Sequence, residues 1–270
     1  MKHIILAVIL FIGLGSFAQK KEKEKKESEK EGLKYFYKEA TVETDDYNIY
    51  IIDAVADLKK AKFKVKIFNK TNDYLLIKPT EFKYLSGDKT ILSSDKTYVI
   101  SPNEEEIEVI DFKGGDMLAE KFTIEFKGIY KASAGGKTNT ISNFDLPPTK
   151  NEFTSENFTC SLKKHDLKTD KSVAKFDCVY VGDGVGIINP TKASAIMPNA
   201  QENVNHKKIQ PIILERGKRD DFTLVFTELP GAGDMQKNGI KIKWNESFRE
   251  SKLLPIGTAK LELVKDSEKK

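Results

Sequence analysis

Beyond a charged N-terminal stretch, apolar and polar positions alternate with a period of two. Residues 62–68 read KFKVKIF, which turns Phe63, Val65 and Ile67 one way and the lysines the other. Residues 122–126 (FTIEF), 175–181 (KFDCVYV), 222–226 (FTLVF) and 240–244 (IKIKW) repeat the habit. Runs rich in turn formers (NKTND, LSGDK, SPNEE, VGDGVG and PGAGD) punctuate these segments. No segment carries a sustained helical stripe. Short strands with frequent turns predict an all-β chain packed as sandwiches.

The pattern also repeats at long range. LIKPTEF at 76–82 is answered by IINPTKA at 187–193, which sets Pro79 over Pro190 at an offset of 111. Lys62-Phe63 lies over Lys175-Phe176 at 113, with the turn between shorter in the second copy. ISPNEEEIEVIDF (100–112) lies over LERGKRDDFTLVF (214–226) at 114, pairing Asn103 with Gly217, residue types that tolerate positive φ. GGDMLAEKFTIEF and AGDMQKNGIKIKW align at 118, pairing Met117 with Met235. Four matches in one order, with the drift confined to loops, predict an internal duplication. Each proline lacks an amide hydrogen and belongs at a sheet edge, a strand end or a crossover. Each Gly-Asp-Met predicts a tight bend whose methionine caps the core.

The order of an alternating strand, a polar turn, an apolar-Pro-Thr segment and a turn into an apolar-x-Phe strand resembles the immunoglobulin-like domains of exported bacterial proteins. The signal-like start and lysine-rich composition are similar to those of Bacteroidetes-like envelope proteins. The resemblance implies two tandem immunoglobulin-like β-sandwich domains and no particular chemistry. The antibody-type Cys…Trp…Cys spacing is missing, and the single Trp244 sits in the last long strand.

Residues 1–18 themselves read as an export signal. Lys2 and His3 precede an apolar core from Ile4 to Leu14, and Ser16-Phe17-Ala18 flank a cleavage point before Gln19. The core is shorter than the roughly 20 residues of a membrane-spanning helix. Residues 19–34 form a charged flexible linker, 35–146 the first sandwich, 147–264 the second and 265–270 a disordered tail. The boundary falls at the double proline 147–148 of DLPPTKNE.

With 45 basic and 41 acidic side chains interspersed, the net charge of +4 gives no nucleic-acid footprint. The two cysteines, Cys160 and Cys178, suit an oxidising compartment; a disulfide between them and two small buried hydrophobes are both open readings. His165, in an apparent loop, and His206 are far apart and show no metal-ligand spacing. GDGVG at 182–186 reads as a hairpin turn, and no nucleophile motif is visible. The sequence therefore offers no catalytic, cofactor-binding or metal-ligating residue. The chain is expected to be a non-catalytic, exported interaction module, periplasmic, envelope-associated or secreted, whose partner is another envelope or secreted protein. Rings at Tyr35, Phe36, Tyr37, Tyr47, Tyr50, Tyr84 and Tyr98 leave glycan binding as the alternative, and an enzyme with a site hidden from the sequence as the third.

Overall fold

The computed structural model describes residues 32–231 and 233–269. The export signal expected at 1–18 lies outside the described residues, as does the linker apart from 32–34. Among the described residues the fold is all-β and sandwich-like. Its sheets are antiparallel, joined by two 3-10 turns and one short helical turn, Met235–Asn238.

Two large apolar clusters organise the chain. The first lies beneath an outer sheet in which Tyr47–Ala56 and Lys60–Asn69 are central and Glu105–Lys113 forms one edge. Its opposite wall is bent. Strands Ala259–Val264, Lys121–Phe126, Lys83–Ser86 and Lys89–Leu92 make one half. Strands Leu253–Pro255, Ile129–Ala132, Tyr74–Ile77 and Tyr98–Ile100 make the other. The bend is built from residues that cannot continue a ladder. Pro79 starts the 3-10 turn Pro79–Glu81. Across from it Gly128 holds φ +90°, where an added Cβ would sit 2.7 Å from the Lys78 carbonyl oxygen.

The second cluster is enclosed in the same manner. Glu152–Ser155, Phe158–Leu167, Lys171–Tyr180 and Arg219–Thr227 form its outer sheet. Phe144–Leu146, Ile240–Lys243, Ser194–Ile196 and Glu202–Val204 make one half of the inner wall. Lys137–Thr138, Phe248–Ser251, Val185–Ile188 and Ile212–Glu215 make the other. Pro190 opens the matching turn Pro190–Lys192, where the Asn189 side chain accepts from the Thr191 amide.

The walls do not respect chain order. After Ile129–Ala132 the chain leaves the first cluster, and its next two strands complete the second: Thr138 pairs with Arg249 and Phe144 with Ile242. After Phe248–Ser251 it crosses back, pairing Leu254 with Lys131 and Leu261 with Ile124. Glu250 pins the outward crossing. Its carboxylate accepts from Asn139 Nδ2 at 2.9 Å, Asn157 Nδ2 at 2.8 Å and the Tyr180 hydroxyl at 2.9 Å. Burial opposes ionisation of Glu250, but those three donors outweigh it and hold the carboxyl below its ordinary value. Burial and donation to Glu250 in turn push the Tyr180 hydroxyl up to about 12.

Strands Tyr74–Ile77 and Val185–Ile188 are buried at all four positions. One face of each looks into its own cluster, through Leu75 and Ile77 or Ile188. Tyr74, Val185 and Ile187 look the other way and meet Ala132 in a third apolar cluster between the two inner walls. Lys78 and Glu215 add an ion pair at 2.7 Å across this junction.

Several expectations change. The boundary at 146/147 does not divide the strand pairing, because Leu146 belongs to the second cluster and Leu261 and Leu263 to the first. Chain order suggested a clean cut; the exchange of strand pairs removes it. The Lys62-Phe63 match to Lys175-Phe176 at 113 is displaced by two. Strand starts at 60 and 171, at 74 and 185, and the turns at 79 and 190 all recur at 111, so Phe63 corresponds to Ala174 and the turn between is not shortened. Residues 182–186 join strands of different sheets, not the arms of a hairpin. His165 sits in strand Phe158–Leu167. The tail is engaged at its start: Lys265 bridges to Tyr37, and its amine lies 3.7 Å from the Tyr35 ring centroid.

Asn103 and Gly217 both take positive φ, at 57° and 74°. Met117 and Met235 are fully buried, one in each large cluster. Cys160 and Cys178 face each other across two strands, with Cα atoms 4.1 Å apart, and are disulfide-bonded. At an offset of 111 they fall on Ile49 and Ile67, themselves a buried cross-strand pair.

Two outcomes are expected. Replacing both cysteines by alanine lowers stability by about 2–3 kcal/mol, from the 18-residue separation of the bonded pair, read as a shifted denaturant midpoint. Truncation after Lys252 uncovers Ile124 and Phe126, so amides of 121–132 lose exchange protection while those of 172–180 keep it.

Candidate functional site

The edge strand Glu105–Lys113 inverts the expected pattern. Cross-strand partners share a sheet face. Glu106 pairs with Ile67 and Glu108 with Val65, and both partners are fully buried core residues. The two glutamates therefore project from the core face, in phase with Ile110 and Phe112, which do reach the core. Ile107 and Val109 point out beside Lys66 and Lys64 and are 51% and 41% exposed.

This inversion leaves the first cluster open at one end. A cleft of about 520 Å³ lies there between the halves, lined by Tyr98, Glu106 and Glu108 on one side and by Gln210, Lys218 and Asp220 on the other. A second hollow of about 550 Å³ runs along Asp95, Tyr98 and Glu108. Tyr98 and Glu108 belong to both, so the two hollows meet at these residues.

Tyr98 extends from strand Tyr98–Ile100, paired with Ile77, and its ring packs on the first cluster. Its hydroxyl is buried and has no hydrogen-bond partner among the described residues. Burial first, then the charges of Glu108, Glu106 and Asp95, push its ionisation far above the ordinary tyrosine range. Glu106 is also raised, by burial and by the crowding of Glu108 and Glu104, with Lys208 acting against them. Gln210 reaches across the cleft and donates to Glu106, and Ser101 donates to Gln210 at 3.3 Å. Asp95 accepts from the Ser93 hydroxyl at 2.6 Å and from the Asp111 amide at 2.8 Å.

Two of the nearby cations are committed elsewhere, while Lys218 lines the cleft, Lys96 lines the adjoining hollow and Lys208 acts on Glu106. Lys78 holds Glu215 and lies 4.9 Å from the Tyr130 ring centroid. Arg219 holds Asp177 at 2.8 Å. Tyr130 donates to Glu81 at 2.8 Å, and burial with that carboxylate pushes its hydroxyl up to about 12.

The residues singled out in the sequence do not meet here. The disulfide, the prolines and the methionines serve the walls and cores, and Gly217 turns the chain just before Lys218. His165 contacts the Ser172 hydroxyl and His206 contacts Asn203, in separate surroundings. Among the described residues no three His, Cys, Asp or Glu side chains are grouped as metal ligands. The cleft residues Tyr98, Glu106, Glu108 and Gln210 were missed as a group. The available signal was EEIEVIDF, in which two glutamates share the phase of Ile110 and Phe112.

No family model matches the chain, and no curated protein matches it. No helix among the described residues is long and apolar enough to cross a membrane.

The cleft carries a stability prediction. A buried hydroxyl without a partner costs about 1–3 kcal/mol. Tyr98→Phe is therefore expected to raise stability by about 1 kcal/mol, measured as an increased denaturant midpoint at unchanged slope.

Proposed function

We propose that the protein is a non-catalytic interaction module of the bacterial cell envelope, exported by its N-terminal segment, that docks on another envelope or secreted protein. The docking surface is the open edge of Glu105–Lys113 together with the adjoining cleft. The observation that carries this reading is the inversion on that strand: exposed Ile107 and Val109 on the outer face, half-buried Glu106 and exposed Glu108 on the core face, beside a cleft with an unsatisfied hydroxyl. Apolar side chains exposed beside hydrogen-bonding groups suit a protein contact.

Further features support the same reading. The disulfide is consistent with an oxidising compartment. The exposed large apolar side chains among the described residues are aliphatic, while Tyr37, Tyr47 and Tyr84 are buried. That supports a protein partner over a sugar stacked on an aromatic face. The 111-residue recurrence of the strands at 60 and 74 and of the turn at 79, drifting to 114 at the edge strand, and the matched walls support an origin by duplication of one immunoglobulin-like sandwich. Under that reading the exchanged strand pairs lace the two copies into one platform.

A photo-crosslinking side chain at Val109 is the direct test. In producing cells it is expected to trap one defined partner, identified by mass spectrometry, while the same group at exposed Val204 traps none. Equal labelling at both positions, or none at Val109, sinks the proposal.

A further inference from the structure

We propose that the cleft receives a cationic side chain, a lysine or arginine carried by an extended segment of the partner, between Glu106, Glu108 and the Tyr98 hydroxyl. This deepens the docking reading and rests on it.

The comparison between halves indicates where the cleft departs from a plain core. Position 108 corresponds to 222 at the offset of 114, and their cross-strand partners Val65 and Phe176 correspond at 111. In the second half the position is Phe222, 2% exposed and stacked with Phe176 at 5.6 Å between ring centroids. Glutamate at the corresponding place gives up that packing and opens the wall. Inward charges on an edge strand also guard against unwanted pairing. That role alone needs neither a cleft of about 520 Å³ nor a buried hydroxyl left without a partner.

The donor and acceptor inventory decides the ligand's class. Glu106 and Glu108 are acceptors when ionised, and the Tyr98 oxygen has lone pairs free as well. An ammonium or guanidinium is donor-only and complements that set, whereas a carboxylate or phosphate is repelled by it. The like-charge crowding around Glu106 is relieved when a cation enters. The charged groups lining the two hollows are Asp95, Glu106, Glu108, Glu215 and Asp220 with Lys96, Lys218 and Arg219, and Glu104 and Lys208 act on Glu106 from nearby. Arg219 is held by Asp177.

The backbone suits an extended ligand. The Asp111 amide points away from the paired neighbour strand and is taken by the Asp95 carboxylate. Val109 and Ile107 share its parity, so their amides and carbonyls face the same free edge. A partner strand added there presents alternate side chains toward Glu108 and Glu106.

Fluorescent capped peptides Thr-Lys-Thr-Lys-Thr and Thr-Glu-Thr-Glu-Thr provide the test, with the full exported chain at low salt and at about 0.5 M salt. The basic peptide is expected to bind saturably and the acidic one not at all. The Glu106→Gln/Glu108→Gln variant, with its thermal unfolding checked against wild type, is expected to weaken basic-peptide binding at least about tenfold. Tyr98→Phe loses a smaller factor despite its higher stability, which separates ligand contact from a structural role. Equal binding of both peptides, no binding of the basic one, unchanged affinity in the double variant, or saturable binding of malto- or cello-oligosaccharides in its place overturns the inference. A Val109 cross-link that persists in the double variant removes only the cation receptor and leaves the docking reading standing.

Discussion

Two short strands, Tyr74–Ile77 and Val185–Ile188, have no face left for solvent, and the molecule is arranged around that fact. A strand in a sandwich normally buries alternate residues. These bury every residue, so the inner walls must lie against each other, sealed by Tyr74, Ala132, Val185 and Ile187. Two exchanged strand pairs reinforce the seal, since each half supplies strands that the other needs to close its wall. A cleft at such a junction has walls fixed by backbone ladders and by burial, not by loops alone. Its two sides, around Tyr98 and around Gln210, are accordingly held in register.

Within that frame the chain departs from good packing at one end of one apolar cluster. The first half closes its core with Phe63, Tyr84, Phe112 and Phe122, then presents glutamates where the sheet still has a core face. The second half carries aromatic packing to the corresponding point, with Phe176, Phe222, Trp244 and Phe248 in mutual contact. At position 108 the departure occurs in only one of two matched environments, which is more informative than either alone; Glu106 itself corresponds to another acid, Asp220. The other half demonstrates that a closed core is available to this architecture, so the open one is a choice of side chain rather than of fold.

The same comparison assigns the disulfide a modest place. Cys160 and Cys178 occupy the positions that Ile49 and Ile67 fill in the first half, and all four are buried. An apolar pair there supports the same ladder. The bond thus adds constraint to the unfolded chain without defining the fold, while Glu250, which gathers donors from three separate segments, has no apolar substitute at its crossing.

Local periodicity was legible in the residues. The alternation at 62–68 and 122–126, the prolines at 79 and 190, the positive φ at Asn103 and Gly217 and the buried Met117 and Met235 each follow from a property of one residue or its nearest neighbours. Even EEIEVIDF carried its anomaly in plain alternation. Only the tertiary structure decided which wall a strand completes, because pairing Leu261 with Ile124 or Phe144 with Ile242 joins segments on opposite sides of the double proline. It also decided the cleft. Glu108 and Gln210 come together only once two sheets have packed, and no local preference of either residue encodes a neighbour supplied by the other half of the chain.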